Sequence, residues 1–244
     1  MAADLNIFRA DLHIHTCLSP CADLEMSPCN IVKNSLEKKI DIIAITDHNS
    51  SKNVKGVFDA ASKSNLKVFL GMEITTKEEV HLLGYFPSFE KLQKFQKFIE
   101  KNLTKTKDKK VIDNQVIANG RDEVLGFLKY NLFSAVNKPL VKIVEEIHNF
   151  GGLALPAHID REGFGIIGQL GFFPENVPFD AVECYDRKCP LIQDVLKKYN
   201  SLTSSDAHKI EEIGKRTTLL KIKEPTFEEF EKSLKRFDGR MIIV

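Results

Sequence analysis

Short apolar runs alternate with amphipathic stretches along most of this chain. Phe8 to Ile14 alternates apolar and polar residues and reads as a first strand, and residues 16 to 27 read as a loop. Ser27-Pro28 then opens a helix, since serine suits an N-cap and proline the first helical position, and Ile31, Val32, Leu36 and Ile40 follow at roughly helical spacing. Asp41 to Thr46 is a nearly continuous apolar run of the kind buried on both faces of a sheet. A helix from about Lys52 to Ser64 separates it from a strand over Lys67 to Gly71, followed directly by Glu73. Glu79 to Phe86 is a further strand containing His81, and Phe89 to Leu103 is an amphipathic helix with Leu92, Phe95, Phe98, Ile99 and Leu103 along one stripe.

Periodicity then loosens from Thr104 to about Lys138 and returns with a helix over Pro139 to Phe150 that stops at Gly151-Gly152. Leu153 to Ala157 and Phe179 to Cys184 read as strands, separated by a long loop or broken helix at 162 to 178. A helix over Leu191 to Tyr199, a short run at Leu202 to Ser205, a strand at Thr217 to Ile222, a capped helix from Thr226 to Phe237 and a last strand from Arg240 to Val244 complete the order. Strands alternating with helices imply parallel pairing, and about seven such units favour a barrel over an open sheet. The expectation is one α/β domain over residues 1–244, a distorted (β/α)7 barrel with an insertion near 86–138, of which 104–138 is an insertion or lid.

Composition narrows this only slightly. The 35 lysines and arginines nearly balance the 34 aspartates and glutamates, so no global field points to nucleic acid or a membrane surface. A local lysine patch at Lys105, Lys107, Lys109 and Lys110 is expected to be solvated surface. Met1 to Ala10 lacks the apolar core of a signal peptide, no run is long enough to cross a bilayer, and an odd number of cysteines argues against a disulfide framework; a cytoplasmic location is the expectation. Cys17 and Cys21 are expected to be free thiols, because their spacing matches no zinc ribbon.

The chemistry lies at the strand ends. Strict alternation would point Asp11, His13 and His15 one way while Leu12 and Ile14 pack on the other. His48, Glu73, His158, Asp206 and His208 each sit at or just past the end of another apolar run, at the barrel mouth where βα loops build sites. His81 is the exception, since it precedes most of its run. His148, near a helix C-terminus, reads as structural. No Ser-His-Asp arrangement or Gly-rich phosphate loop is suggested.

In order, the motifs are Asp-Leu-His-Ile-His at 11–15, Ile-Thr-Asp-His at 45–48, Gly-Met-Glu at 71–73, His81, Pro-Ala-His at 156–158 and Ser-Asp-Ala-His at 205–208. This series resembles the polymerase and histidinol phosphatase (PHP) domain family. The resemblance implies a PHP-type distorted seven-stranded barrel holding two to three divalent metal ions, manganese, zinc or iron, and hydrolysing phosphoesters. It implies that His13, His15, Glu73 and Asp206 bind a first metal, that Glu73 bridges to a second held by His81 and His158, and that His48, His208 and a first-loop acid hold a third. The longer loop here departs from the family pattern. Counting back from Ser27-Pro28 selects Asp23, with Glu25 and the Cys17/Cys21 pair as rivals. Asp11 and Asp47 are assigned to orienting their neighbours.

The implied reaction is attack by a metal-bound hydroxide, with Asp206, His208 and Arg161 as the catalytic group. Arg161, three residues after His158, is the first choice for the substrate phosphate, followed by Arg187 and Arg216. A small phosphorylated metabolite or nucleotide is the expected substrate, with no membrane partner. An exonuclease or oligonucleotide phosphodiesterase is the alternative. An amidohydrolase of C–N bonds ranks below both, because Glu73 and Asp206-Ala207-His208 stand where that group has a lysine and a lone aspartate, and a non-catalytic metal-binding domain is disfavoured by the nearly complete ligand set.

Overall fold

The apolar runs become strands of one curled sheet in the computed structural model, which describes residues 4–104 and 114–243. In chain order the strands are β1 (Asn6–Ile14), β2 (Ile42–Ile45), β3 (Lys67–Thr75), β4 (His81–Phe86), β5 (Val116–Ala118), β6 (Val124–Phe127), β7 (Leu153–Pro156), β8 (Val182–Glu183), β9 (Ser201–Leu202), β10 (Thr218–Ile222) and β11 (Met241–Ile243). Seven of them form the main sheet in the order β11-β10-β1-β2-β3-β4-β7. β8 and β9 pair in parallel and continue the wall. The backbone flanking β7 and β8 is joined by Asp180 N to Ala154 O and Ile159 N to Glu183 O (3.0 and 2.9 Å). Beyond β9, Ala207 exchanges bonds with the end of β1, through His15 N to Ala207 O and Ala207 N to His13 O (3.0 and 3.2 Å). A distorted barrel of β1, β2, β3, β4, β7, β8 and β9 results.

The pairing is not uniformly parallel, which corrects the sequence expectation. β1, β2 and β3 run parallel, but β3 and β4 form an antiparallel hairpin with no helix between them, and β10 joins β1 antiparallel. The hairpin explains His81. Register places Thr75 opposite His81, so the start of β4 lies at the same mouth as the end of β3. β3 also runs past Glu73, which is therefore within the strand and not after it.

Two apolar layers fix this arrangement. Ala10, Leu12, Ala44, Leu83, Tyr85 and Leu155 fill the barrel interior, closed below by Phe230 of the helix Phe227–Leu234. Ile14, Ile45, Met72, Ile74 and Leu82 face outward onto the helices Pro28–Glu37, Val54–Ala61, Phe89–Asn102 and Leu140–Asn149. Pro28 opens the first of these as expected, although Ser27 does not cap it and bonds Asp122 at 2.8 Å instead. Leu12 and Ile14 thus sit in different layers, contrary to strict alternation. The β1–β2 register is interrupted between Asp11 and Ile14, and such irregularities re-aim side chains next to sites.

Residues 114–138 contain the β5–β6 hairpin. Val116 N bonds Cys17 O (3.0 Å) and Val136 N bonds Thr75 O (2.8 Å), which ties it to the mouth. The four-lysine patch lies outside the described residues. No helix among the described residues is long and apolar enough to cross a membrane.

The carbonyl of Leu12, inside the β1 interruption, accepts the buried Tyr85 hydroxyl at 2.8 Å. Removing that donor strands a buried acceptor. Tyr85→Phe is expected to cost about 1–3 kcal/mol, read as a lower urea midpoint at unchanged slope.

Candidate metal centre

Glu73 is the hub of the mouth. It is fully buried, and five imidazoles from four different segments face its two oxygens. Oε1 lies 2.9 Å from His81 Nδ1, 3.3 Å from His158 Nε2 and 3.4 Å from His13 Nε2. Oε2 lies 2.9 Å from His48 Nδ1 and 3.3 Å from His15 Nε2. Asp206 Oδ1 stands 3.2 Å from His15 Nε2 and 3.3 Å from His13 Nε2, and His208 stacks on His15 with ring centroids 4.2 Å apart.

Local backbone explains each placement. The β2–β3 ladder continues through a bridge between His48 and Glu73, with Asn49 N bonding Glu73 O at 2.7 Å. His158 directly follows the inward-facing Ala157 and reaches the mouth through a left-handed backbone (φ 31°), as Asp206 does (φ 52°). Such conformations cost of order 1–3 kcal/mol each and persist where surrounding structure holds them. Glu183 helps hold this one by accepting from His158 N at 3.2 Å.

Outer hydrogen bonds set the direction of the ring nitrogens. Glu183 Oε2 accepts from His13 Nδ1 at 2.9 Å. Ser19 Oγ, which donates to Asp47 Oδ1 at 2.7 Å, accepts from His15 Nδ1 at 3.0 Å. His208 Nδ1 donates to the Asp206 carbonyl at 2.8 Å. These bonds turn the Nε2 lone pairs of His13 and His15, 3.2 Å apart, toward the carboxylates.

That arrangement suits cations. His48 Nδ1 and Glu73 Oε2 are both buried and lack a hydrogen-bond partner although they face one another. Two ligands ~2.1 Å from a shared ion, at angles from a right angle to tetrahedral, stand ~3.0–3.4 Å apart, and the contacts here span 2.9–3.4 Å. Three groups of ligand atoms converge, namely His13 with His15 and Asp206, His48 with Glu73 and His81, and His15 with His48 and His208. Mixed imidazole and carboxylate donors fit zinc, manganese or iron.

Without a cation, protons take its place. Burial opposes charge on His13, but Glu183, Asp206 and Glu73 outweigh it and raise its pKa well above the usual range. His15 is likewise raised to about 9 by Asp206 and Glu73 against the effect of burial. Burial lowers His48 to about 4 and His208 to about 3. Glu73 and Asp206 stay ionised because neighbouring imidazoles overcome their desolvation. Protons and divalent cations therefore compete for one set of lone pairs.

The remaining sequence candidates are distributed unevenly. Arg161 lines the cavity, and its Nη1 donates to Asp206 Oδ2 at 3.0 Å. Arg216 stacks over the Tyr185 ring at 4.5 Å, while Arg187 bonds Ser201 and does not line the cavity. Asp23 is exposed and joins none of the three groups among the described residues; only its backbone N reaches the site, bonding His208 O at 2.9 Å. Glu25 is also exposed, Cys21 lines the cavity, and Cys17 is a buried thiol whose pKa desolvation raises to about 12. Asp47 orients His15 through Ser19, whereas Asp11 accepts from Ser205 N and Gly214 N (3.0 and 2.8 Å) and so anchors the segment bearing Asp206 and His208. His148 pairs with Asp180 at 2.8 Å, away from the centre.

Sequence reasoning missed Glu183, Ser19 and Tyr185, whose hydroxyl donates to Asp206. Glu183 carried the same signal as the ligands, a polar residue closing an apolar run, but nothing in one dimension pairs it with His13. Glu183→Gln keeps the shape and removes the charge facing His13. Metal affinity is expected to fall about 10–100-fold, measured by metal content after dialysis against graded chelator, with the circular dichroism spectrum unchanged.

The PHP domain profile matches residues 11–159, and a PHP-associated profile matches residues 197–237. The uncharacterised protein YqxK of Bacillus subtilis is 23% identical over 239 residues, covering 87% of this chain and 56% of that protein. Among solved structures, the lesion-specific endonuclease EndoQ of Pyrococcus furiosus superposes with a TM-score of 0.73 at 18% identity, over 98% of this chain and 58% of that one. A protein of Bifidobacterium adolescentis assigned as a metal-dependent phosphoesterase superposes with a TM-score of 0.57 at 15% identity, over 93% and 96% of the two chains. This chain thus spans little more than half the length of YqxK and of EndoQ. The profile match covers more than half of the sequence and contains the His13, His15, His48, Glu73, His81 and His158 constellation, and the chain belongs to the PHP domain family.

Proposed function

We propose that this chain hydrolyses phosphomonoesters of small metabolites or nucleotides at the Glu73 centre. The observation that carries the reading is the enclosure of Glu73 by five imidazoles beside Arg161, in a cavity of about 290 Å³. Two to three divalent cations, when bound, would lower the pKa of a water and neutralise phosphate charge. His13, His15, Glu73 and Asp206 are assigned to one ion, Glu73, His81 and His158 to a second, and His48 with His208 to a third. Asp23 remains the assigned first-loop ligand, which requires its exposed side chain to turn inward.

The chain's own groups divide the remaining work. Asp206 faces the imidazoles with Oδ1 and Arg161 and Tyr185 with Oδ2, so it couples the ligand set to the phosphate-facing cation. Arg161 is 44% exposed at the rim, which leaves donors for a phosphate oxygen. His208 donates through Nδ1 to a backbone carbonyl, so its Nε2 keeps the lone pair. Phe133 at the rim supports reading 104–138 as an insertion or lid on a single domain. Five free cysteines support a reducing, cytoplasmic setting.

A second reading, cleavage of nucleic-acid phosphodiesters, draws support from the superposition on EndoQ, which has been solved with a 27-mer duplex substrate bearing an abasic lesion. Aryl phosphate mono- and diesters separate the two readings. Purified protein is expected to contain two or three equivalents of manganese, zinc or iron and to prefer the monoester. Activity should disappear on chelation and in His13→Ala, and return to the wild type when manganese is restored. Protein that binds no metal and stays inactive with manganese would sink the reading. Arg161→Ala is expected to lower monoester kcat/KM about 100-fold, while Arg187→Ala stays near wild type in the same steady-state assay.

A further inference from the structure

Two phenyl groups on the cavity wall have no part in phosphate chemistry. Phe133 and Phe164 line the same cavity as Arg161, and they are 48% and 42% exposed. The Phe133 ring lies 5.9 Å from His48, and the Phe164 ring stacks on His81 at 4.4 Å with an interplanar angle of 13°. Large apolar rings at the edge of a charged site are left in water unless a ligand covers them.

Main-chain hydrogen bonds hold the segments that carry both rings. Phe164 takes a left-handed conformation (φ 61°) between Gly163 and Gly165, neither of which takes it, although glycine would adopt it without strain. Its carbonyl accepts His81 N at 2.9 Å. Gly165 is constrained separately, since a Cβ there would stand 2.3 Å from Arg161 O. Phe133 is fixed by Asn49, itself at φ 48°, whose amide donates to the carbonyls of Leu132 and Ser134 on either side (2.8 and 3.1 Å). The residue after His48 therefore positions one ring, and the main chain of His81 positions the other.

We propose that Phe133 and Phe164 form a stacking rim that selects phosphoesters whose organic part is a planar ring, a nucleobase or an aryl group, over those of open-chain or sugar alcohols. This rests on the phosphoesterase reading of the Glu73 centre. The ring of the substrate lies against an exposed phenyl face while its phosphate reaches Arg161 and the imidazoles. Stacking on one aromatic side chain changes affinity by about tenfold or more.

The test uses non-hydrolysable phosphonates, so that binding is read apart from turnover. Calorimetry on the metal-loaded protein compares phenylphosphonate with propylphosphonate, which carry the same charged group. Wild type is expected to bind the phenyl compound about tenfold more tightly, and Phe133→Leu and Phe164→Leu to lose most of that preference at unchanged metal content. Phe133→Tyr should keep it. A parallel kinetic comparison of adenosine 5′-monophosphate with glycerol phosphate, expected to show a lower KM for the nucleotide in wild type only, tells a nucleobase from a simple aryl group. Equal binding of the two phosphonates by wild type, binding of neither, or a preference that survives in both leucine variants would overturn the proposal. Ring preference without any phosphoester hydrolysis would overturn only the reading of the centre, and hydrolysis without ring preference only the rim.

Discussion

A buried carboxylate surrounded by imidazoles is the constraint on which this structure turns. Glu73 has almost no contact with solvent, and burying such a charge is costly unless partners compensate it. Here compensation comes from His13, His15, His48, His81 and His158, carried by four separate segments. Each depends on the others, and all depend on a positive charge among them, whether protons or divalent ions. The barrel can be viewed as the scaffold that keeps this cluster closed to water while leaving one side open.

Regular strands alone would not build it. Interior-facing residues alternate along β3 and deliver Glu73 directly, but β1 needs a register interruption to keep Leu12 in the interior while sending His13 and His15 to the mouth. β4 supplies His81 at its start because it runs against β3. His158 and Asp206 need left-handed backbone. These departures from regularity cluster at the metal end, whereas the lower half of the barrel packs Phe69, Tyr85 and Phe230 in ordinary aromatic contacts. The left-handed backbone at His158 and Asp206 persists because surrounding structure holds it, and the apolar core supplies the stability that permits it.

The outer hydrogen bonds give the cluster its chemical character. Glu183 and Ser19 hold protons on the far nitrogens of His13 and His15, so that both rings present lone pairs inward. Asp206 then links this inner set to Arg161 and Tyr185 at the rim. The centre therefore grades from imidazoles and carboxylates at its floor to a guanidinium and two phenyl groups at its edge.

Much of this is legible in the sequence. The positions of the strands, and the polar residues that close them, follow from apolar runs whose length and flanks reflect burial on two faces, and the repeated placement of His48, Glu73, His158, Asp206 and His208 at run ends signals one shared mouth. Strand direction is not legible, because hairpin and crossover pairings bury the same apolar residues; β4 runs antiparallel where alternation predicts a parallel strand, and His81 at its start reflects that. The orientation of Asp11 is lost for a similar reason, since one irregular step in β1 reverses the faces of all that follows. Glu183, Asn49 and the phenyl rim act through contacts between residues tens of positions apart, which periodicity does not encode. The chain by itself determined the elements, the ligand types and the end of the barrel where they gather. Tertiary packing alone decided which lone pairs meet, because distances of 2.9–3.4 Å between separate strands depend on register, bulges and backbone sign rather than on residue identity.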